Sequence, residues 1–459
     1  MCRISRRTLL QALLTQPFAA AVANGQVLHQ APKPLSKDVV THDWTSFLGP
    51  SHNAVSTETR LSRALPPPLV WEFPKGTGYS TPAVAGRRLL FLHRVGNEEI
   101  VECLDPETGS RQWQFRYATA FEDRYGYNNG PRASPVVDGE RVYTVGAEGK
   151  LHCLDVRSGR VIWRRDLRAE YKVPQDFFGT ASTPLVEGPL LIVNVGGPGG
   201  PCVAGLDAAT GRETWRAGKD WGASYASPVP ALVHGKRRIF VFAGGESKPP
   251  SGGLMSIDPV TGGVDFAFPW RSRAYESVNA SCPVVFDNKV FVSASYRAGG
   301  ALLDVRSDFT FRVVWTTQDV ALHFNTAIYR DGFLYGFDGR NKLDASLVCV
   351  DASNGKIVWR EIAEWTESTP GRRQQTLGTY RGSLLAVDGQ FLCLGELGHL
   401  LWIDLTPKRY TQVSRAWLFA GRESWGLPVL SKGLLYVVQN TRDVFKAVGP
   451  RLRCYDLRA

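Results

Sequence analysis

One short pattern recurs along the chain and limits the folds that it can adopt. Its clearest copy is Leu104-Asp105-Pro106-Glu107-Thr108-Gly109, followed by Trp113. The other clear copies begin at Asp155, Asp207, Asp258 and Asp351, and Trp163, Trp215, Phe266 and Trp359 take the tryptophan place in turn. Weaker copies at Asp304, Asp404 and Asp456 bring the total to eight units, spaced 46 to 53 residues apart. A period of this length is typical of repeat architectures.

A second marker gives the same number of units. In each unit, two apolar runs flank a tight turn that contains glycine or asparagine, the residues that most readily adopt a positive φ in two-residue hairpins. The turns are Ala85-Gly86, Asp138-Gly139, Glu187-Gly188, His234-Gly235, Asp287-Asn288, Asp331-Gly332, Asp388-Gly389 and Lys432-Gly433. Eight hairpins and eight aspartates together predict eight β-sheets.

The repeat also predicts how each unit folds and why the units must associate. The aspartate can accept N–H hydrogen bonds from the turn that follows it, and the tryptophan can cover a large apolar area against a neighbouring sheet. A four-stranded unit cannot bury both of its faces alone, so the units have to stack. A ring of units protects most of the strand edges and is therefore favoured.

The two ends of the repeat region predict that the ring closes. The last unit stops at 455–459, before any Thr-Gly turn or tryptophan, and the missing strand occurs at the other end as Leu69-Val70-Trp71-Glu72-Phe73. We therefore predict an all-β protein. It is an eight-bladed β-propeller of four-stranded antiparallel blades over residues 68–459, closed by the N-terminal strand.

The first 23 residues predict an export signal. A basic segment, 1–7, precedes a mostly apolar run that ends on Ala21-Val22-Ala23. Within it, Ser5-Arg6-Arg7-Thr8-Leu9 resembles the twin-arginine signal of bacteria. The mature protein is then expected in the periplasm, with residues 24–67 as an extended lead-in to the propeller.

Composition argues against several other classes of protein. The net charge is +11, but the basic residues are dispersed, so no nucleic-acid partner is expected. No apolar run reaches the roughly 18 residues that a membrane-spanning helix needs. Cys103, Cys153, Cys349 and Cys454 each stand two residues before a repeat aspartate, which indicates small buried strand positions rather than a disulfide framework. We expect a monomer.

The repeat resembles the pyrroloquinoline-quinone-like, or quinoprotein-type, β-propeller repeat family. The segment Trp44-Thr45-Ser46-Phe47-Leu48-Gly49-Pro50 is similar to the lead-in of that family's outer-membrane-assembly-factor-B-like branch. The resemblance implies an eight-bladed ring and two quite different functions. One is a non-enzymatic scaffold in the assembly of outer-membrane proteins, and the other is a quinone-dependent alcohol or sugar dehydrogenase.

The resemblance implies several sequence motifs for a dehydrogenase, and few of them occur in this sequence. It has neither the vicinal cysteine pair nor a C-x-x-C-H haem motif. A divergent dehydrogenase would use Arg132 and Trp425 near the quinone, and Glu276 and Asn279 on calcium, which takes oxygen ligands. Pyrroloquinoline quinone with Ca²⁺ is thus the cofactor set of the alternative hypothesis. The favoured hypothesis has no cofactor, no metal and no catalytic residue.

Candidate ligand contacts lie at the mouth of the central channel, where the segments entering the innermost strands converge. They are Tyr79, Arg132, Phe178, Tyr225, Glu276, Asn279, His323, Asn325, Thr379, Glu423 and Trp425. Charged and aromatic side chains on one opening can bind a small ligand or a peptide. We therefore predict an exported protein-binding scaffold or ligand-binding module with an unidentified envelope partner. A glycan sensor that uses the aromatic mouth is a third hypothesis.

Overall fold

A computed structural model describes residues 25–175, 177–342, 344–371 and 373–459. The predicted export signal, 1–23, lies outside the described residues. Within them the chain forms eight antiparallel sheets around a central channel. The prediction of an all-β, eight-bladed propeller is confirmed.

Each blade contributes four strands, A to D, in the order in which they pair. Blades 1 to 4 are Ala83–Ala85, Arg88–Val95, Glu98–Leu104, Arg111–Ala118; Val136–Asp138, Arg141–Val145, Lys150–Asp155, Val161–Asp166; Leu185–Glu187, Leu190–Asn194, Val203–Asp207, Glu213–Ala217; and Val229–Val233, Lys236–Ala243, Gly253–Ile257, Val264–Pro269. Blades 5 to 8 are Val284–Phe286, Lys289–Ala294, Gly299–Val305, Phe311–Thr317; Ile328–Arg330, Phe333–Asp338, Ser346–Asp351, Ile357–Glu361; Ser383–Val387, Gln390–Leu394, His399–Thr406, Arg409–Trp417; and Val429–Ser431, Leu434–Gln439, Arg451–Asp456, Leu69–Pro74.

The burial of the strands follows their place in the blade. The A strands surround the channel, and those of blades 1 and 2, 2 and 3, 4 and 5, and 5 and 6 contact one another. The B and C strands are almost wholly buried, as in Leu434–Gln439, because a sheet packs on both of their faces. The D strands alternate between buried and exposed side chains, as in Arg111–Ala118, because they form the outer rim.

The ring closes as the two chain ends predicted. Leu69–Pro74 pairs antiparallel with Arg451–Asp456 and completes blade 8. Trp71 of this closing strand is fully buried, and its indole Nε1 donates to the carbonyl of Pro106 in blade 1 at 2.9 Å. Backbone hydrogen bonds therefore complete blade 8, and a side-chain hydrogen bond joins it to blade 1.

The clear repeats make the contacts that their residues predict. Asp105 Oδ1 accepts from the backbone N and the hydroxyl of Thr108, at 3.0 and 3.1 Å. Trp113 Nε1 donates to the carbonyl of Val156 in the next blade at 3.0 Å. The same indole bond joins Trp163 to Ala208, Trp215 to Pro259, Trp315 to Ala352, and Trp359 to Thr406. The seven described cysteines are buried free thiols.

The lead-in does more than approach the ring. Trp44 bridges to Val84 in the A strand of blade 1, and Val55–Ser56 pairs in parallel with the A strand of blade 7. The carboxylate of Glu58 accepts from the backbone N of Lys432 and of Gly433, in the A–B turn of blade 8. The lead-in thus covers the channel at the end that carries the A–B turns. The sequence predicted only an extended segment before the propeller and did not predict this cover.

Three short elements complete the described chain. Val27–Leu28 pairs with the closing strand, a helix spans Leu167–Tyr171, and a hairpin of Glu364–Thr369 and Arg373–Gly378 lies between blades 6 and 7. Among the residues described, no helix combines the length and the apolar character that a membrane span requires.

Candidate ligand-binding cup

A cavity of about 360 Å³ occupies the channel at the end opposite the A–B turns. Its walls come from the segments that enter the A strands and from the B–C loops of blades 5 and 6. Phe47, Leu48 and Ala54 of the lead-in form part of its lining as well. We call this cavity the cup, because the lead-in closes one end and leaves a single mouth.

Most of the residues predicted for the channel mouth line the cup. They are Tyr79, Arg132, Phe178, Tyr225, Glu276, His323, Asn325 and Trp425. Thr379 does not line it. Glu423 stands behind the wall, where it accepts a hydrogen bond from the hydroxyl of Tyr79 at 2.5 Å. Whether any of these side chains binds a ligand stays a prediction.

Asn279 takes no part in the cup wall. Its side chain is fully buried, and Nδ2 donates to the carbonyls of Ala243 and Trp270 at 2.8 and 3.1 Å. Glu276, by contrast, is exposed at the rim. Within the described ranges, no group of three His, Cys, Asp or Glu side chains is placed to hold a metal ion. Glu276 and Asn279, the pair predicted to hold calcium, are therefore not brought together on the cup wall.

Several wall residues were missed by the sequence analysis. They are Tyr125, Tyr127, Tyr296, Phe324, Arg340 and Arg381. Tyr125 and Tyr127 belong to the long connection between blades 1 and 2, and Tyr296 and Arg340 belong to B–C loops. The length of the connection between strand D of blade 1 and strand A of blade 2, with two tyrosines in it, was the available signal, because long loops between short strands carry function.

Aromatic rings form a nearly continuous belt around the cup. The ring centroid of Trp425 lies 5.2 Å from Tyr79, 5.3 Å from Phe324 and 6.2 Å from Tyr127. Phe178 contacts Tyr127 at 6.0 Å on the other side. The indole Nε1 of Trp425 is buried and has no hydrogen-bond acceptor among the described residues. A ligand oxygen would satisfy that donor, since buried polar groups are normally hydrogen-bonded.

Three arginines reach the cup in different electrostatic states. Arg132 is neutralised by a buried ion pair with Asp123, at 2.6 Å, and Arg381 is paired with the buried carboxylate of Glu396, at 2.5 Å. Arg340 is exposed at the rim and stacks over Tyr296 at 4.3 Å. It has no carboxylate partner in the part of the chain that the structure describes. Arg340 is therefore the cation most readily offered to a ligand.

The titratable wall residues His323 and Tyr79 keep one charge state. Burial, with the positive charges of Arg381 and Arg340, lowers the pKa of His323 to about 3. Its Nε2 lies 3.2 Å from the hydroxyl of Tyr296. Burial and the hydrogen bond to Glu423 raise the pKa of Tyr79. At neutral pH both side chains are uncharged hydrogen-bonding groups, which suits recognition better than proton transfer.

The fold and the cup define the class of an eight-bladed, quinoprotein-type β-propeller with a one-mouthed central cavity. A sequence model of the family described as outer membrane protein assembly factor BamB matches residues 97–361, which is more than half of the chain. The chain belongs to this family. Among curated proteins, none matches it in sequence.

Solved structures share the fold at low sequence identity. A europium-containing methanol dehydrogenase superposes with a TM-score of 0.67 at 12% identity, over 90% of this chain and 98% of that one. BamB from Moraxella catarrhalis gives 0.53 at 16%, over 82% and 94%. A quinohemoprotein alcohol dehydrogenase from Comamonas testosteroni gives 0.62 at 12%, over 91% and 81%. The likeness to both enzymes and BamB shows a common fold and leaves the function to the site.

Proposed function

We propose that this chain is an exported, non-catalytic β-propeller that binds an anionic organic ligand in the cup. The observation that carries the proposal is the pairing of an aromatic belt with a cation, Arg340, that has no carboxylate partner among the described residues. The predicted export signal and the family of the chain support a place in the bacterial envelope. The ligand, in this proposal, is met in the periplasm.

The aromatic belt supports an organic body on the ligand. Rings spaced 5 to 6 Å apart around a concave surface bury large apolar areas and favour offset or edge contacts with a guest. The free Nε1 of Trp425 adds one donor for a ligand oxygen. Pockets of this kind, mostly apolar with a few convergent polar groups, are the common form of small-molecule sites.

The arginines support an anionic group on the ligand. Arg340 and Arg381 both lie close enough to His323 to lower its pKa, so two guanidinium groups reach this sector of the wall, one of them paired with Glu396. A guanidinium offers a planar fork that matches a carboxylate. Glu276, the carboxylate in the cup lining, lies near both Tyr125 and Tyr296, and it forms no ion pair with Arg340 among the described residues.

The test is titration calorimetry on residues 24–459 with 2-naphthoate and its uncharged amide, 2-naphthamide. We expect the acid to bind at least tenfold more tightly than the amide, and Arg340→Gln to abolish that difference. Arg422→Gln is the matched control, because Arg422 is an exposed arginine outside the cup. Equal binding of acid and amide, or no binding of either, would overturn the proposal and favour a scaffold whose mouth loops contact an envelope protein.

Pyrroloquinoline quinone serves as a second probe, with and without Ca²⁺. The proposal predicts that any binding is independent of Ca²⁺ and that no dye is reduced when an alcohol is added. Calcium-dependent binding with alcohol-dependent dye reduction would replace the proposal with the dehydrogenase alternative.

A further inference from the structure

We infer that the cup takes a linear amphipathic acid with its apolar end inserted first and its carboxylate held at the rim. The inference rests on the proposed function and names the ligand class of the same site. It comes from the order in which apolar and polar side chains follow one another from the closed end to the mouth.

The end of the cup nearest the lead-in combines apolar side chains with the hydroxyl groups of Thr183, Ser227 and Thr326, each of which already accepts a backbone N–H hydrogen bond. Leu48 and Ala54 of the lead-in are 5% and 1% exposed, and both line the cavity beside Phe47. Leu384, in the A strand of blade 7, and Leu427, just before that of blade 8, are almost as buried. A carboxylate placed beside Phe47, Leu48 and Ala54 would lose hydration that these apolar side chains cannot replace.

The mouth of the cup is polar and more exposed. Arg340 and Glu276 are exposed there, and Tyr127 of the rim is 55% exposed. The paired Arg381 lies over the ring of Trp425 at 4.9 Å, which brings a second guanidinium to the same sector as Arg340. A carboxylate at this level keeps partial hydration and meets the arginines.

The lead-in makes the direction of entry unique. Because residues 44–58 cover the A–B-turn end, a ligand cannot thread through the ring and has to enter and leave by the mouth. A molecule that matches both the closed end and the mouth of the cup has one apolar end and one charged end. A ligand charged at both ends would bury one charge against Leu48 and Leu427.

A homologous series of straight-chain acids tests this order. Calorimetry with hexanoate, octanoate, decanoate, dodecanoate and tetradecanoate should show binding that tightens about fourfold for each added methylene until the chain reaches the lead-in, and then levels off or weakens. The matching α,ω-dicarboxylates should bind at least tenfold more weakly at every length.

Two variants separate the closed end from the rim. Phe47→Ala should move the length optimum to a longer acid. Arg340→Gln should weaken all of the acids by a similar factor and leave the optimum in place, while the control Arg422→Gln changes neither. Circular dichroism and melting temperature establish that each variant is folded.

The outcomes distinguish this inference from the proposed function. If 2-naphthoate binds through Arg340 but the acid series shows no length optimum, or dicarboxylates bind as well as monocarboxylates, the proposed function stands and the inference is wrong. If an optimum appears but Phe47→Ala does not move it, the orientation is wrong. If neither 2-naphthoate nor any acid binds, both fail.

Discussion

The glycine of each clear repeat turn lies against an indole from the preceding blade. At Gly211, φ is +73°, and a Cβ atom would come within 2.7 Å of the Trp163 ring. Gly109, Gly159, Gly262 and Gly355 meet Trp71, Trp113, Trp215 and Trp315 in the same way. Two separate constraints, a left-handed backbone and a close approach, therefore require glycine where the repeat has it.

Gly211→Ala should therefore destabilise the protein more than an alanine substitution at a glycine that has a positive φ but no close neighbour. We expect it to lower the free energy of unfolding by about 2 to 4 kcal/mol, since backbone strain and overpacking add. Gly139→Ala is the matched control, because Gly139 has φ +54° but open space where the methyl group of an alanine would lie, and it should cost about 1 kcal/mol. Urea unfolding measures both, and equal losses would contradict the role of the indole.

The repeat aspartates make stability depend on pH. Asp351 Oδ1 accepts from the hydroxyl and the backbone N of Ser353, at 2.7 and 2.8 Å, and these bonds lower its pKa. Asp258 also has a lowered pKa; burial opposes the shift, and the backbone N–H groups of Thr261 and Val260 with nearby Arg238 outweigh it. A carboxyl group whose folded pKa lies below its unfolded value binds fewer protons in the native state. Its contribution is present above the unfolded pKa and is lost as the pH falls through the folded pKa.

We therefore expect the melting temperature to fall steadily between about pH 5 and pH 2, where unperturbed aspartates titrate. Asp351→Asn should lower the melting temperature at pH 7 and make the fall toward pH 2 shallower than in the unaltered protein. Scanning calorimetry across this range checks the slope. A variant curve parallel to that of the unaltered protein would show that Asp351 is not part of the dependence.

The size of the residue two places before each aspartate has a packing reason. Cys103, Cys153 and Cys349 lie directly across the C–D ladder from Trp113, Trp163 and Trp359. Gly205 faces Trp215 in the same way, whereas blade 5 accommodates Leu302 opposite Trp315, so a small residue is common at this position but not required. In blade 7 the order is reversed, with Trp402 on the C strand facing Ser414 on the D strand, which explains why that copy of the repeat is hard to recognise.

Among the elements, the connection 121–131 crosses the mouth of the cup, and we call it the strap. It leaves blade 1, and the guanidinium of Arg124 donates to both carboxylate oxygens of Glu246, in the B–C loop of blade 4, at 2.8 and 2.9 Å. Tyr127 contacts Trp425 near its other side. The base is fixed by the ion pair of Arg132 and Asp123. The tip is thus held mainly by one partly exposed ion pair and by ring contacts.

Glu246→Gln should loosen the strap without disturbing the blades. Amide hydrogen exchange in residues 121–131 should rise about two- to fivefold, the range expected when a partly exposed ion pair is lost. Glu140→Gln provides the control, because its pair with Arg157 is exposed on both sides and away from the mouth. Unchanged exchange in the strap, or an equal rise in all loops, would contradict the idea that the Arg124–Glu246 ion pair holds the strap in place.

At the scale of the whole molecule, stability depends on closure of the ring. Blade 8 is assembled from distant parts of the chain, and Trp71 lies at its junction with blade 1. Trp71→Ala should lower the free energy of unfolding by about 3 to 5 kcal/mol, as for other buried tryptophans. Urea unfolding and limited proteolysis at the junction measure the effect.

Trp365→Ala is the control for closure. Trp365 is a half-buried tryptophan in the hairpin outside the ring, so its loss should cost clearly less and should not expose the junction of blades 8 and 1 to protease. If both variants unfold at the same urea concentration, Trp71 contributes no more to stability than a tryptophan outside the ring, and the role of ring closure is contradicted.

The sequence by itself determined the number of blades, their strand order and the closing strand. These follow from local chemistry that repeats eight times: an aspartate that holds its own turn, an indole that needs a neighbouring sheet, and two-residue hairpins. All eight hairpins occur in the structure. In five of them the predicted turn residues, such as Asp331-Gly332, are both at positive φ. In the other three the predicted position is wrong by one residue, because the turns are Gly86-Arg87, Gly139-Glu140 and Gly188-Pro189. Repetition made each weak copy recognisable from the strong ones.

Only the tertiary structure decided the shape of the cup. The segments that enter the A strands could be placed at the mouth from the topology, so Tyr79, Arg132 and Trp425 were found. The lead-in and the strap carry no repeat, and their positions are fixed by long-range contacts such as Glu58 with Gly433 and Arg124 with Glu246. A sequence records which groups can pair, but the pairing of groups hundreds of residues apart is selected by the packing of the closed ring.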